Sequence, residues 1–169
     1  MSVVVTLTPW ECRIARAVGR ERQNAALAAG YVGRNGQSAA RALADHILGA
    51  HGELAGAAWR DRYWTGSPGT LDKKTGDVGG YQFKTGPKRD SHMIVRPDDD
   101  DRDVFVCVVG PVPVMTIVGW LYGAHAKRLA PYGDPFGTGR PAHWVPQAAL
   151  RPLRTLPPPV RRPLGRAVG

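Results

Sequence analysis

Of the three glutamates in this 169-residue chain, Glu53 is the one set among small and apolar neighbours, in His51-Gly52-Glu53-Leu54-Ala55-Gly56. A carboxylate there either lies on a solvated helix face or serves a polar site. Further on, Asp77-Val78-Gly79-Gly80-Tyr81-Gln82-Phe83-Lys84-Thr85 holds a second carboxylate, an amide and a lysine. In a regular strand Gln82 and Lys84 face one way, while Asp77, an odd number of positions earlier, faces the other. A bulge or tight bend at Gly79-Gly80 reverses the phase, so that Asp77, Gln82 and Lys84 can converge. A carboxylate, a neutral amide oxygen and an ammonium gathered this way suit a divalent metal with a charge-stabilising cation beside it. A polar hairpin with an Asp-x-Gly turn would use the same residues without chemistry.

Glu53, Asp77 and Gln82-Phe83-Lys84 together resemble the PD-(D/E)XK nuclease superfamily. Its pattern is a glutamate on the helix before the sheet, an aspartate at a bent strand, and Glu or Gln, any residue, then Lys on the strand that follows. The match covers residues 38–96, and Gln82 stands where most members carry Glu, a form that Mrr-type restriction endonucleases share. The amide removes one negative charge from the metal cage, which weakens metal affinity. The resemblance implies a restriction-endonuclease-like α/β domain, with N-terminal helices and a central mixed sheet of four or five strands. It also implies metal-dependent hydrolysis of DNA phosphodiester bonds with Mg²⁺ or Mn²⁺, leaving a 5′-phosphate and a 3′-hydroxyl. In that scheme Asp77 ligates the metal, with the Gln82 side-chain oxygen and the Phe83 carbonyl beside it. Glu53 completes the cage directly or through water, and Lys84 orients or helps deprotonate the attacking water and offsets transition-state charge. DNA is the expected partner, RNA the other candidate, and a homodimer is the arrangement in which many such nucleases cut both strands. The later segments, His92 to Arg96, Asp103 to Val108 and Val118-Gly119-Trp120, resemble the core strands of small phage-encoded nuclease-like proteins.

Two further readings belong to other classes. One is a catalytically inactive nuclease-fold protein that binds nucleic acid, motivated by Gln82 and by the charge of the chain; the other is a phage structural or host-interaction protein. The net charge is +9, and it is uneven: no acid follows Asp134, so Arg140, Arg151, Arg154, Arg161, Arg162 and Arg166 give residues 135–169 a charge of +6. That asymmetry favours a polyanionic partner, since Lys and Arg release counterions from phosphates. Lys73, Lys74, Lys88 and Arg89 flank the proposed site, and with Arg151, Arg154, Arg161 and Arg162 they are the candidate phosphate contacts. Asp98-Asp99-Asp100-Asp101 with Asp103 reads as a solvated turn, because consecutive carboxylates diverge and repel. Trp59, Tyr63 and Trp64 stand at a helix-to-strand junction, where aromatic residues are usually core.

The elements that must position these groups follow from periodicity. Thr8-Pro9 caps a helix over residues 9–29, with Gly19 a point where it could break, and Ser38 caps a second over residues 38–58 that carries Glu53. Strands are expected at 80–85, 92–96, 104–109 and 114–121, then a short helix at 123–129. The uncharged run from Phe105 to Ala126 is long enough for a membrane span, but Gly110-Pro111-Val112-Pro113 divides it into two buried strands joined by a turn. Residues 1–150 form the nuclease-like domain, with 1–37 a helical extension, and residues 151–169 a disordered Pro/Arg tail. Cys12 and Cys107 make no disulfide framework or zinc spacing, and no secretory pattern occurs in the first residues, so a cytoplasmic protein without membrane contact is expected.

Overall fold

A capping box opens the first helix. In the computed structural model, which describes residues 1–30, 38–67, 77–137 and 139–159, the Thr8 hydroxyl accepts from Glu11 N and the Glu11 carboxylate accepts from Thr8 N, satisfying two orphan donors reciprocally. Helix α1 (Pro9–Ala28) runs through Gly19 without a break, because Gly19 is where α1 lies against Ile47 of helix α2 (Ala39–Arg60). Ser38 caps α2, and Asp61, in the left-handed conformation, ends it.

Two sheets follow from the apolar runs. The first, in the order β1 (Val3–Thr6), β5 (Val114–Tyr122), β4 (Val104–Val109), β2 (Gln82–Gly86), is mixed: β2 and β4 are parallel and the other pairs antiparallel. The second is antiparallel, in the order β3 (Met93–Val95), β7 (Ala142–Val145), β6 (Tyr132–Gly133). Helix α3 (Gly123–Leu129) leaves β5 directly. The chain is therefore mixed α/β with three helices among the described residues, and its sheets number two where one of four or five strands was expected. Strands β1, β6 and β7 were not anticipated. The apolar run resolves into the β4–β5 hairpin, and among the described residues no helix is long and apolar enough to cross a membrane.

Strand β4 is buried along its whole length and separates two cores. Val104, Val106 and Val108 face α1 and α2 with Leu7, Cys12, Ala55 and Trp120. Phe105, Cys107 and Val109 face β3 and α3 with Met93, Val145 and Ala126. The N-terminal segment is thus part of the domain core, through β1, Leu7 and α1. The C-terminal segment also differs from expectation over residues 151–159. Arg151 forms a bridge with Trp120, Leu153 is buried, and Tyr81 donates its hydroxyl proton to the Pro157 carbonyl at 2.7 Å.

Helix α2 approaches β2 closely through glycine. A Cβ at Gly52 would overlap Thr85, and one at Gly56 would overlap the Phe83 ring, whereas Gly49 faces open space. Gly56→Ala should therefore destabilise the protein by about 1–3 kcal/mol of overpacking, more than the helix propensity of alanine returns, while Gly49→Ala should stabilise it by up to ~1 kcal/mol. Urea unfolding midpoints of the two variants check this; equal shifts would mean that the close approach does not constrain the fold.

Candidate active site

Asp77 reaches the sheet through a two-residue turn. Gly79 and Gly80 both have positive φ, at 58° and 87°, which glycine adopts without strain. Val78 and Tyr81 pair across this turn, and Asp77 N donates to Tyr81 O at 2.8 Å. The bend anticipated at Gly79-Gly80 is a hairpin turn, and it folds the Asp77 carboxylate back onto β2, where Oδ2 accepts from Phe83 N at 2.7 Å. Strand β2 is an edge strand, and its Phe83 N–H points away from β4. The carbonyl of a strand residue points to the same side as its N–H, so the Phe83 oxygen also lies on the open edge, beside Asp77.

Glu53 is buried, at 6% exposure, on the face of α2 turned toward α1. Arg22 of α1 meets it with a bidentate pair, Nη1 to Oε1 at 2.5 Å and Nη2 to Oε2 at 2.7 Å, and the Trp64 indole donates to Oε2 at 3.1 Å. Arg22 Nε donates in turn to Ser67 O at 3.2 Å, so the guanidinium ties α1, α2 and the segment leading toward Asp77. The pair with Glu53 holds the Arg22 pKa above its ordinary value against the opposing effect of burial. The charge of Arg22 also helps burial push the nearby His46 below its ordinary value.

On the other side, Lys84 Nζ lies 2.7 Å from Asp99 Oδ2 and 4.8 Å from the Phe105 ring centroid. Asp99 Oδ2 also accepts from Arg96 N at 2.8 Å, and Lys127 Nζ donates to the carbonyls of Pro97 and Asp99 and to Asp101 Oδ1. The acidic run is a turn between β3 and β4 with Asp98 and Asp101 exposed, as expected, but two lysines tie it down, and Asp99 is drawn in as the counter-ion of Lys84. Gln82 is half-buried on the same strand, and its side chain bonds to no described residue.

Asp77 is the group that all of these surround. Its carboxyl is pushed up to about 7, first by burial and then by the negative charge of Glu53, against the hydrogen bond from Phe83 and the charges of Lys84 and Arg22. Glu53, Asp77 and Lys84 thus belong to one electrostatic neighbourhood. Arg22, Trp64 and Asp99 complete it, and their partners lie too far along the chain for local spacing to indicate them. Trp59 and Trp64 pack against the core as expected, but Tyr63 is 88% exposed. Lys88 and Arg89 are exposed beyond the other end of β2, and Arg151 and Arg154 are exposed on the C-terminal segment. Lys73, Lys74, Arg161 and Arg162 lie outside the described residues.

Among the described residues no three His, Cys, Asp or Glu side chains gather as a metal-binding group. A divalent ion would instead meet two carboxylates and neutral oxygens, which is compatible with Mg²⁺ and its retained waters. The free donors fit: Asp77 Oδ1 accepts from no described residue, Gln82 is unengaged, and the Phe83 carbonyl faces the same edge. Glu53, with both oxygens held by Arg22, fits a role through water better than direct ligation. No family model matches the chain, and neither does any curated protein or solved structure.

Two outcomes test this electrostatic arrangement. An acid whose pKa is higher folded than unfolded stabilises the protein at low pH and loses that contribution as pH rises from its ordinary value of 3.8 toward 7. In EDTA, Asp77→Asn should flatten this fall and melt at least about 2–4 °C above the parent at pH 8, what ~1 kcal/mol is worth in a domain of this size. Arg22→Ala leaves Glu53 buried without its counter-ion and should cost about 3–5 kcal/mol by chemical denaturation, with Glu53→Gln in the same background recovering part of the loss.

Proposed function

We propose that the protein is a metal-dependent nuclease of restriction-endonuclease-like fold that hydrolyses phosphodiester bonds in DNA. The observation that carries this reading is the position of Asp77, turned onto the open edge of β2 beside the Phe83 carbonyl, with Glu53 and Lys84 as its charged neighbours. This follows the order of groups in the sequence motif. Asp77, Gln82 and the Phe83 carbonyl would hold Mg²⁺ or Mn²⁺, with Glu53 reached through water. Such an ion, when bound, supplies Lewis acidity toward a phosphate oxygen and a water of lowered pKa.

The remaining work falls to the chain's own residues. Arg22 and Trp64 fix the orientation of Glu53, whose carboxylate can accept a hydrogen bond from a water at the edge of the site. Asp99 holds the Lys84 ammonium at the level of β2. From there Lys84 can exchange its counter-ion for a phosphate oxygen and offset the negative charge that develops in the transition state. Burial of this neighbourhood makes each charge more effective than it would be in water.

A second reading has its own support. Arg22 and Trp64 already satisfy both oxygens of Glu53, which suits a fold that binds nucleic acid without cutting it.

Incubation with supercoiled, linear and single-stranded DNA in Mg²⁺, Mn²⁺ or EDTA separates the two. The nuclease reading expects metal-dependent nicking or degradation that falls by about 10²-fold or more in Asp77→Asn and in Lys84→Ala, each variant remaining folded. DNA left intact by the parent but retarded on a gel would establish the binding protein instead.

A further inference from the structure

Five of the exposed arginines that the candidate site does not use follow one another across neighbouring elements. Arg62 follows α2 and lies against the turn that carries Asp77: a Cβ at Gly79 would be 3.9 Å from Arg62 Cγ. Arg60 stacks over Trp59 and Tyr81, at 5.3 and 5.6 Å from the ring centroids. Both charges act on the Tyr81 hydroxyl. That hydroxyl binds the Pro157 carbonyl, so the C-terminal segment begins its contact with the domain at the same point. Going back along that segment, Arg154 sits in a 3-10 turn whose Thr155 hydroxyl and Pro152 carbonyl both accept from the Trp120 indole. Arg151 then lies over the Trp120 ring at 5.3 Å. Arg151 and Arg128 together lower the pKa of His125, after burial.

The five residues Arg62, Arg60, Arg154, Arg151 and Arg128 thus form a belt. It starts at the Asp77 hairpin, follows the seated C-terminal segment and ends at α3. None of the five has a carboxylate within ion-pair distance among the described residues. This contrasts with the cations nearer the interior, Arg22, Lys84, Lys127 and Arg140, each of which holds an acid. Five guanidinium groups without a carboxylate partner leave an excess of positive charge on these neighbouring elements, and the stacking of Arg60 and Arg151 on aromatic rings orients two of them while leaving them exposed. A ligand with negative charges at regular spacing matches that excess. A nucleic-acid backbone has such charges, and each one neutralised by Arg releases a counterion.

We infer that this belt is the surface on which a nucleic-acid backbone runs up to the Asp77 edge, with Arg62 the contact nearest the site. The inference deepens the proposed function and rests on its reading of nucleic acid as the partner, though not on cleavage. The C-terminal segment then acts as a binding element held in place by Trp120 and Tyr81.

Among the described residues neither Arg62 nor Arg154 makes an ion pair or stacks on a ring, so Arg62→Gln with Arg154→Gln removes two charges without touching the stacked pair. Binding of the full chain to fluorescein-labelled duplex and single-stranded DNA, read by anisotropy in EDTA over a salt series, is the test. The expected result is a slope of log K against log salt that is shallower by about 1.8 on duplex DNA, and an affinity lower by about tenfold or more at 0.1 M salt. Arg13→Gln with Arg20→Gln removes the same charge from the exposed face of α1 and should leave both nearly unchanged. Equal losses in the two double variants, or no loss in the first, would overturn the belt. Preferential binding to vesicles containing phosphatidylglycerol, lost in Arg62→Gln with Arg154→Gln, would replace nucleic acid with a membrane surface as its partner and overturn the inference. A parent protein that binds DNA through the belt but never cuts it would leave this inference standing and remove the nuclease reading.

Discussion

The carboxylate of Glu53 sits inside the protein, and a charge in that position is tolerated only with a partner of opposite sign and matching geometry. Arg22 supplies both through its planar fork, and the requirement propagates outward. To deliver Arg22, α1 must lie against α2, which it does through Gly19 at Ile47. To satisfy Arg22 Nε, the chain leaving α2 must double back so that Ser67 can accept its hydrogen bond, with Trp64 turned inward to the second Glu53 oxygen. One buried ion pair therefore fixes the relation of two helices and the approach of a third segment.

The second constraint is steric. Gly52 and Gly56 let α2 lie on Thr85 and Phe83, so the residues of β2 that point toward the helix pack without a gap. Gln82 and Lys84, of opposite parity, turn to the other face of the same strand. Glu53 and Lys84 are consequently on opposite sides of an edge strand, and they come together only around that edge, where Asp77 stands between them. The arrangement resembles a clasp closed over the border of a sheet more than a pocket in its middle.

What could be read beforehand was what local pattern encodes. The strands 104–109 and 114–121 were visible because unbroken β-branched runs flank a Gly-Pro turn, and α1 because Thr8-Pro9 announces its start. The bend at Gly79-Gly80 was legible because two consecutive glycines relieve a parity conflict that the neighbouring polar residues create. Strand β1 escaped notice because four residues carry too little periodicity, and it forms by pairing with Val114 to Ile117 at the far end of the chain. Strands β6 and β7 are short and exist through tertiary pairing. Arg22 and Asp99 were missed for the same reason. A cation on a polar helix face and an acid in an acidic run look solvated until the fold brings Glu53 and Lys84 to them. Proline-rich composition points to disorder over residues 151–159, but Leu153 is buried there and the Trp120 and Tyr81 side chains hold the segment.

The parallel pairing of β2 with β4 has a consequence for how the protein acquires its site. The antiparallel hairpin β4–β5 closes through a short turn and can form early. Strand β2 can join β4 only after the intervening chain, with β3 and the acidic loop, has made its excursion, and only while α2 lies on its other face. Contacts of such sequence separation form late, since loop entropy is lost before they contribute. The edge carrying Asp77, Gln82 and Lys84 is thus expected to assemble after the β4–β5 hairpin and to open before it, with amide protons on β2 exchanging ahead of those on β4. The Asp77 edge would then be complete only once α2, β2 and β4 have come together, so a partly folded molecule lacks it.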